Sequence, residues 1–252
     1  MCELFGASLK QKEDLREYLK QFYSHSNKHP HGWGIMRFND GKREIYKEPV
    51  RATGSRNLST IISETAPQTD LLAHIRLATV GTPKQENCHP FYGKDNSGRE
   101  WTLIHNGTIY SSRTLMKYLN NQDGDTDSER VFLYLLEKIN EKSNGRELNA
   151  EERFSVAEQL VTELSRRNKL NLMIFDGELL YVHKNMNTTL SFRKSDNGYL
   201  FSTQPLGDDW EDYPMCRLCA FKNGEQVFEG KEQTSEFVPT LEYISAMAAM
   251  GI

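Results

Sequence analysis

The chain has 252 residues, with 31 Lys and Arg set against 35 Asp and Glu, for a formal charge of −4 at neutral pH. That length sits at the upper end for one hydrophobic core, and the dispersed, nearly balanced charge argues against a nucleic-acid backbone or an anionic membrane surface as partner. No apolar run approaches a membrane span, and no basic segment followed by an apolar one opens the chain, so the protein is expected in the cytoplasm with Cys2, Cys88, Cys216 and Cys219 as free thiols.

Residues 2–9 alternate as a strand does, and the spacing of Leu15, Tyr18, Leu19 and Phe22 predicts a helix over about residues 12–25. Residues 31–38 and 43–47 are strand-like and meet at Asn39-Asp40-Gly41, a hairpin turn signal. A short helix is expected near residues 58–63, then a buried apolar strand over residues 71–78 that carries Arg76 near its end. After a stretch punctuated by Gly and Pro, residues 100–109 form another strand, ending in His105-Asn106-Gly107. Helical patterns cover residues 112–119, 127–140 and 150–167. From Leu170 the chain reads as hairpins, with Asp176-Gly177, Asn197-Gly198 and Asn223-Gly224 at the turns. With no internal repeat and no Pro- or Ser-rich linker, residues 1–252 are expected to form one domain, with 230–252 either docked on it or extending from it as a C-terminal tail. Strands, then helices, then strands indicate an α+β or layered sandwich fold rather than a regular βαβ winding.

Cys2 follows the initiator methionine. Removal of Met1 would leave a thiol and a free α-amine on one residue, and an α-amine titrating at about 7.7 to 8.0 is a usable base at neutral pH. The alternative is a small residue that starts a strand. Arg76 at the end of an apolar strand needs an anion, either a ligand carboxylate held bidentately or an internal Asp or Glu. Asn106-Gly107 can aim a side-chain amide and a backbone N–H at one point, as an oxyanion hole does, although Asn-Gly is also a common tight turn. In Gly124-Asp125-Thr126-Asp127-Ser128-Glu129 one carboxylate can cap a helix while another binds an ammonium group, and Thr126 with Glu129 fits a capping box. Asn87-Cys88-His89-Pro90-Phe91 is not a metal motif, because adjacent residues in an extended stretch point apart and no second ligand pair lies at zinc spacing. Cys216 and Cys219 form a lone CxxC with a structural reading, and His25 and His29 are read as surface residues.

Taken in order and with their gaps, Met1-Cys2, the His-Ile-Arg-Leu-Ala-Thr-Val-Gly stretch around Arg76, Asn87-Cys88-His89-Pro90-Phe91, His105-Asn106-Gly107 and Thr126-Asp127-Ser128-Glu129 resemble the class II glutamine amidotransferases. The glutaminase domain of that family belongs to the N-terminal nucleophile hydrolases. The resemblance covers about residues 2–206 and ends in Ser202-Thr203-Gln204-Pro205-Leu206. It implies a four-layer αββα sandwich and a site that needs neither metal nor cofactor. Cys2 would be the nucleophile, with its own α-amine as base once Met1 is gone; with Met1 retained, the amide nitrogen is no base and the protein would be inactive. Arg76 would clamp the substrate α-carboxylate with Thr79 nearby, Asp127 would hold the α-ammonium, and Asn106 with the Gly107 N–H would bind the oxyanion. The substrate would be glutamine or another γ-glutamyl compound.

Two positions depart from many members that carry a fused synthase: Leu77 stands where an aromatic residue is usual, and Val80 where a histidine is. With little chain beyond the domain, a stand-alone bacterial form is expected, one that passes ammonia to a separate synthase. A γ-glutamyl amide or peptide hydrolase of thiol or amine metabolism and a catalytically silent glutamine-binding regulator are the alternatives. No nucleic acid or membrane is expected as partner.

Overall fold

The computed structural model describes residues 2–249. The chain runs β1 (Glu3–Glu13), α1 (Arg16–Ser24), β2 (Trp33–Asn39), β3 (Lys42–Glu48), α2 (Arg56–Glu64), β4 (Gln68–Ile75), β5 (Phe91–Lys94) and β6 (Glu100–Thr108). Two long helices follow, α3 (Asp127–Ser143) and α4 (Ala150–Leu164), and then β7 (Lys169–Phe175), β8 (Leu180–His183), β9 (Ser191–Ser195), β10 (Gly198–Ser202), β11 (Glu211–Asp212), β12 (Cys219–Lys222), β13 (Glu225–Glu229) and α5 (Leu241–Ala249). The strands make two antiparallel sheets, one ordered β11-β9-β10-β1-β4-β2-β3 and the other β13-β12-β8-β7-β6-β5.

Period-two alternation along the strands builds the layers. In β1, Phe5, Ala7 and Leu9 face α1 and α2, while Leu4 faces the opposite sheet. In β7, Leu170, Leu172 and Ile174 pack under α3 and α4, while Met173 and Phe175 face inward. The result is helix, sheet, sheet, helix: the α+β four-layer sandwich, with an inter-sheet core of Leu4, Met36, Leu72, Ile104, Met173 and Phe201.

Several boundaries moved from their sequence-based positions. Strand β1 continues to Glu13 where a helix was expected, because Asn197 in the β9–β10 turn takes the backbone N–H groups of Lys10 and Gln11 and so extends the pairing. Residues 112–119 shrink to a 3-10 segment, Thr114–Tyr118. The buried strand ends at Ile75, so Arg76 lies just past it. His29 is buried rather than superficial, and His25 Nδ1 donates to the carboxylate of Glu3 at 2.8 Å, because that buried carboxylate needs partners. Residues 230–237 dock: Gly230, Gln233 and Phe237 donate their N–H groups to the carbonyls of Leu218, Cys216 and Asn185, and the Phe237 ring stacks on Tyr110. Among the described residues no helix is long and apolar enough to cross a membrane, and the four cysteines form no disulfide.

The β7–β8 turn rests on Asp176, whose buried carboxylate accepts the N–H groups of Glu178 and Leu179, the Tyr181 hydroxyl and Arg153 Nε, the last two at 2.7 Å. Removing one partner of a buried ion pair leaves an uncompensated charge. Asp176→Ala is therefore expected to cost about 3 to 5 kcal/mol in denaturant unfolding. A loss below about 1 kcal/mol would mean that the pair is as dispensable as an exposed one.

Candidate active site

Cys2 sits immediately before β1, which runs between β10 and β4 within its sheet. The head of the strand is clamped by the Ser202–Leu206 stretch: Leu4 N–H donates to Thr203 Oγ1 and Thr203 N–H returns to the Leu4 carbonyl, each at 2.9 Å. Gln204 Nε2 adds a bond of 2.8 Å to the buried Glu3 carboxylate. The Cys2 thiol, partly buried, donates to the Leu77 carbonyl at 3.4 Å. Burial pushes its pKa up, against the pull of the nearby Arg76 and Lys169 charges. Such a thiol is protonated at neutral pH and requires a base before it can attack. Met1, on which the availability of that base depends, lies outside the described residues.

At the end of β6, Asn106 is buried and its Oδ1 accepts from Lys169 Nζ at 3.2 Å. A protonated lysine head has donors only, which favours the carboxamide oxygen on this side. Asn106 Nδ2 is buried with no hydrogen-bond partner among the described residues. Gly107 follows, where a Cβ would lie 2.0 Å from the Lys169 carbonyl of the neighbouring strand, so no larger residue fits.

Arg76 is buried, and among the described residues it meets no carboxylate. Its guanidinium donates instead to the carbonyls of Val80, Gly81 and Thr82 at 2.9 to 3.2 Å, bracing the loop that carries Thr79. Neither sequence alternative, a ligand nor an internal Asp or Glu, had included backbone carbonyls. Asn87 joins this loop to the start of α3, donating to the Thr82 carbonyl and the Asp125 carboxylate while its Oδ1 accepts the Asp125 N–H. The Asn-Cys-His-Pro-Phe motif is thus a staple; its Cys88 is fully buried, with burial pushing the thiol up to about 11.

Asp127 opens α3, and its carboxylate accepts the N–H groups of Ile109 at 2.7 Å and Ser128 at 2.9 Å, which ties the helix to the strand bearing Asn106 and Gly107. Thr126 caps the helix by accepting from Glu129 N–H. The reciprocal half of the expected capping box is missing, since the Glu129 carboxylate takes the N–H groups of Asp123 and Gly124 in the preceding turn.

Cys2, Thr79, Asn106 and Gly107 converge on a single cleft with Leu77 and Thr108. Arg76 and Asp127 lie off its lining. Two further residues at the cleft were missed in the sequence: Lys169, which reads there as a charged strand start, and Tyr243 of α5, which lies far along the chain. As it stands the cleft is nearly closed, with about 10 Å³ of open space, room for no more than about one water molecule. Among the described residues no group of three or more His, Cys, Asp or Glu is arranged to hold a metal ion.

Two antiparallel sheets between helical layers, with a cysteine at the head of an inner strand, make this fold that of the N-terminal nucleophile amidotransferases. The chain belongs to the class II glutamine amidotransferases, whose family model matches residues 1–195. It is 28% identical over 264 residues to an uncharacterized protein of Methanocaldococcus jannaschii, covering 93% of this chain and 73% of the relative. It is 29% identical over 202 residues to YafJ of Escherichia coli, covering 79% of this chain and 78% of YafJ. Glutamine phosphoribosylpyrophosphate amidotransferase from B. subtilis superposes with a TM-score of 0.66 at 14% identity, over 93% of this chain and 50% of that one. Membership of the family implies amidohydrolase or amidotransferase activity.

Proposed function

We propose that Cys2, made N-terminal by removal of Met1, attacks the γ-carbonyl of glutamine in this cleft. The α-amine takes the thiol proton and the C=O bond electrons move onto oxygen, where Asn106 Nδ2 and the Gly107 N–H receive the negative charge. Collapse of the tetrahedral adduct breaks the C–N bond, the proton passes to the leaving nitrogen and ammonia departs. Water then attacks the glutamyl thioester through a second oxyanion and returns the thiol with release of glutamate. In this scheme Arg76 receives the substrate α-carboxylate with Thr79 beside it, and Asp127 the α-ammonium.

The observation that carries the reading is the buried, unpartnered Nδ2 of Asn106 in the same cleft as Cys2. A buried donor without an acceptor costs free energy unless a ligand supplies one. Glutamine, whose leaving group is ammonia, is the smallest γ-glutamyl amide; larger γ-glutamyl amides and peptides are the alternative substrates. The ammonia would pass to a separate synthase in the cytoplasm.

The reading is tested by intact-mass analysis of cell-derived protein, followed by assay of glutamine and γ-glutamylmethylamide and by labelling with a glutamine-mimicking diazoketone. The expected result is loss of Met1, one label on Cys2, and faster release of ammonia than of methylamine. Glutamine binding without label or turnover in the processed protein would instead identify a silent sensor, and preferential methylamine release a γ-glutamyl amide hydrolase.

A further inference from the structure

Lys169 stands at the first position of β7, and alternation along that strand sends its side chain to the same inward face as Met173 and Phe175. It is 1% exposed, among the largest fully buried side chains of the molecule. Placing an ammonium group there carries a desolvation penalty, and burial accordingly lowers its pKa to about 7 while the neighbouring Cys2 thiol opposes that shift. The next inward positions on the strand are an amide, a thioether and a phenyl ring, none of them charged. Among the groups the cation reaches is Asn106 Oδ1, at 3.2 Å.

A carboxamide has two ends of nearly equal size, so packing alone barely distinguishes its two orientations. In one, Oδ1 faces Lys169 and Nδ2 is the free donor. In the other, the NH₂ group would lie against the Lys169 head, donor against donor whenever that head is protonated, and an oxygen lone pair would stand where the oxyanion forms. We propose that Lys169 is a positioning residue for the oxyanion hole, holding Asn106 in the orientation that leaves Nδ2 available. The proposal rests on the glutaminase reading above and deepens it. An oxyanion donor helps only if it is aimed before the charge develops, because reorienting it during the reaction would consume part of the stabilisation. Lys169 acts through Asn106 and not on the substrate ground state, so its removal should be felt in kcat and hardly in KM.

The test uses the Met1-processed full chain with glutamine, comparing wild type, Lys169→Met, Asn106→Ala and the double variant, each first checked by thermal unfolding. Lys169→Met is expected to lower kcat by about 10-fold to 100-fold with KM little changed, a smaller loss than the roughly 10²-fold to 10³-fold expected for Asn106→Ala. The double variant should lose no more than Asn106→Ala alone, the signature of two residues acting as one unit. If Lys169→Met does not fold, Lys169→Gln, which leaves a polar but uncharged head in the cavity, takes its place in the same cycle. An unchanged kcat, a loss confined to KM, or losses that multiply in the double variant would overturn the role of Lys169 while leaving the glutaminase reading intact. A processed wild type that leaves glutamine untouched would overturn both.

Discussion

Cys2→Ala should reduce glutamine hydrolysis to the uncatalysed background, a loss on the order of 10⁶-fold in kcat, as when a covalent nucleophile is removed elsewhere. The substitution removes only Sγ, which is partly buried and bonded to the Leu77 carbonyl, while the clamp at the head of β1 is made by Glu3 and Leu4. Stability should therefore change little, so loss of turnover with an unchanged unfolding midpoint isolates the chemistry. Diazoketone labelling should vanish in the same variant. The other thiols do not offer a substitute: Cys88, Cys216 and Cys219 are buried, and burial pushes each pKa up. Labelling that persists after Cys2→Ala would move the reaction to another residue and end the assignment.

Arg76→Lys should lower kcat/KM for glutamine by about 10²-fold to 10³-fold, mainly through KM, which corresponds to about 3 to 4 kcal/mol and lies within the range for losing one side of a buried charged contact. Two effects are joined in that figure. A lysine head cannot span three carbonyls as the guanidinium spans Val80, Gly81 and Thr82, nor present a planar fork to a carboxylate. They separate with γ-aminobutyramide, which is glutamine without its α-carboxylate. Wild type should handle this compound poorly, and the variant should lose little more on it if Arg76 binds the carboxylate. Equal losses on both substrates would make Arg76 a brace of the loop alone.

Much of the fold was legible along the chain because alternation and turn chemistry are local. Asn39-Asp40-Gly41 and Asn223-Gly224 do form turns with positive φ at Asp40, Gly41, Asn223 and Gly224, as their small or side-chain-bonding residues permit. The cap of α3 by Thr126 was legible for the same reason. Where the local pattern failed, a distant partner intervened. Helical spacing over residues 12–25 was cut short by strand pairing with a turn nearly two hundred residues away, and the carboxylate of Glu3 drew His25 inward.

The sequence by itself determined the order of chemistry-bearing residues, Cys2, Arg76, Asn106, Gly107 and Asp127, and the alternation of the strands around them, because residue type and period are properties of the chain. Only the tertiary structure decided what each group meets. It placed Thr79 with Cys2, Asn106 and Gly107 at one cleft, turned the Arg76 guanidinium to loop carbonyls, brought Tyr243 from the far end of the chain to the same cleft, and buried Lys169 against Asn106. The reason is desolvation: a lysine at a strand start looks like a solvated charge until the opposite sheet closes over it, and only then does it meet the amide beside Cys2.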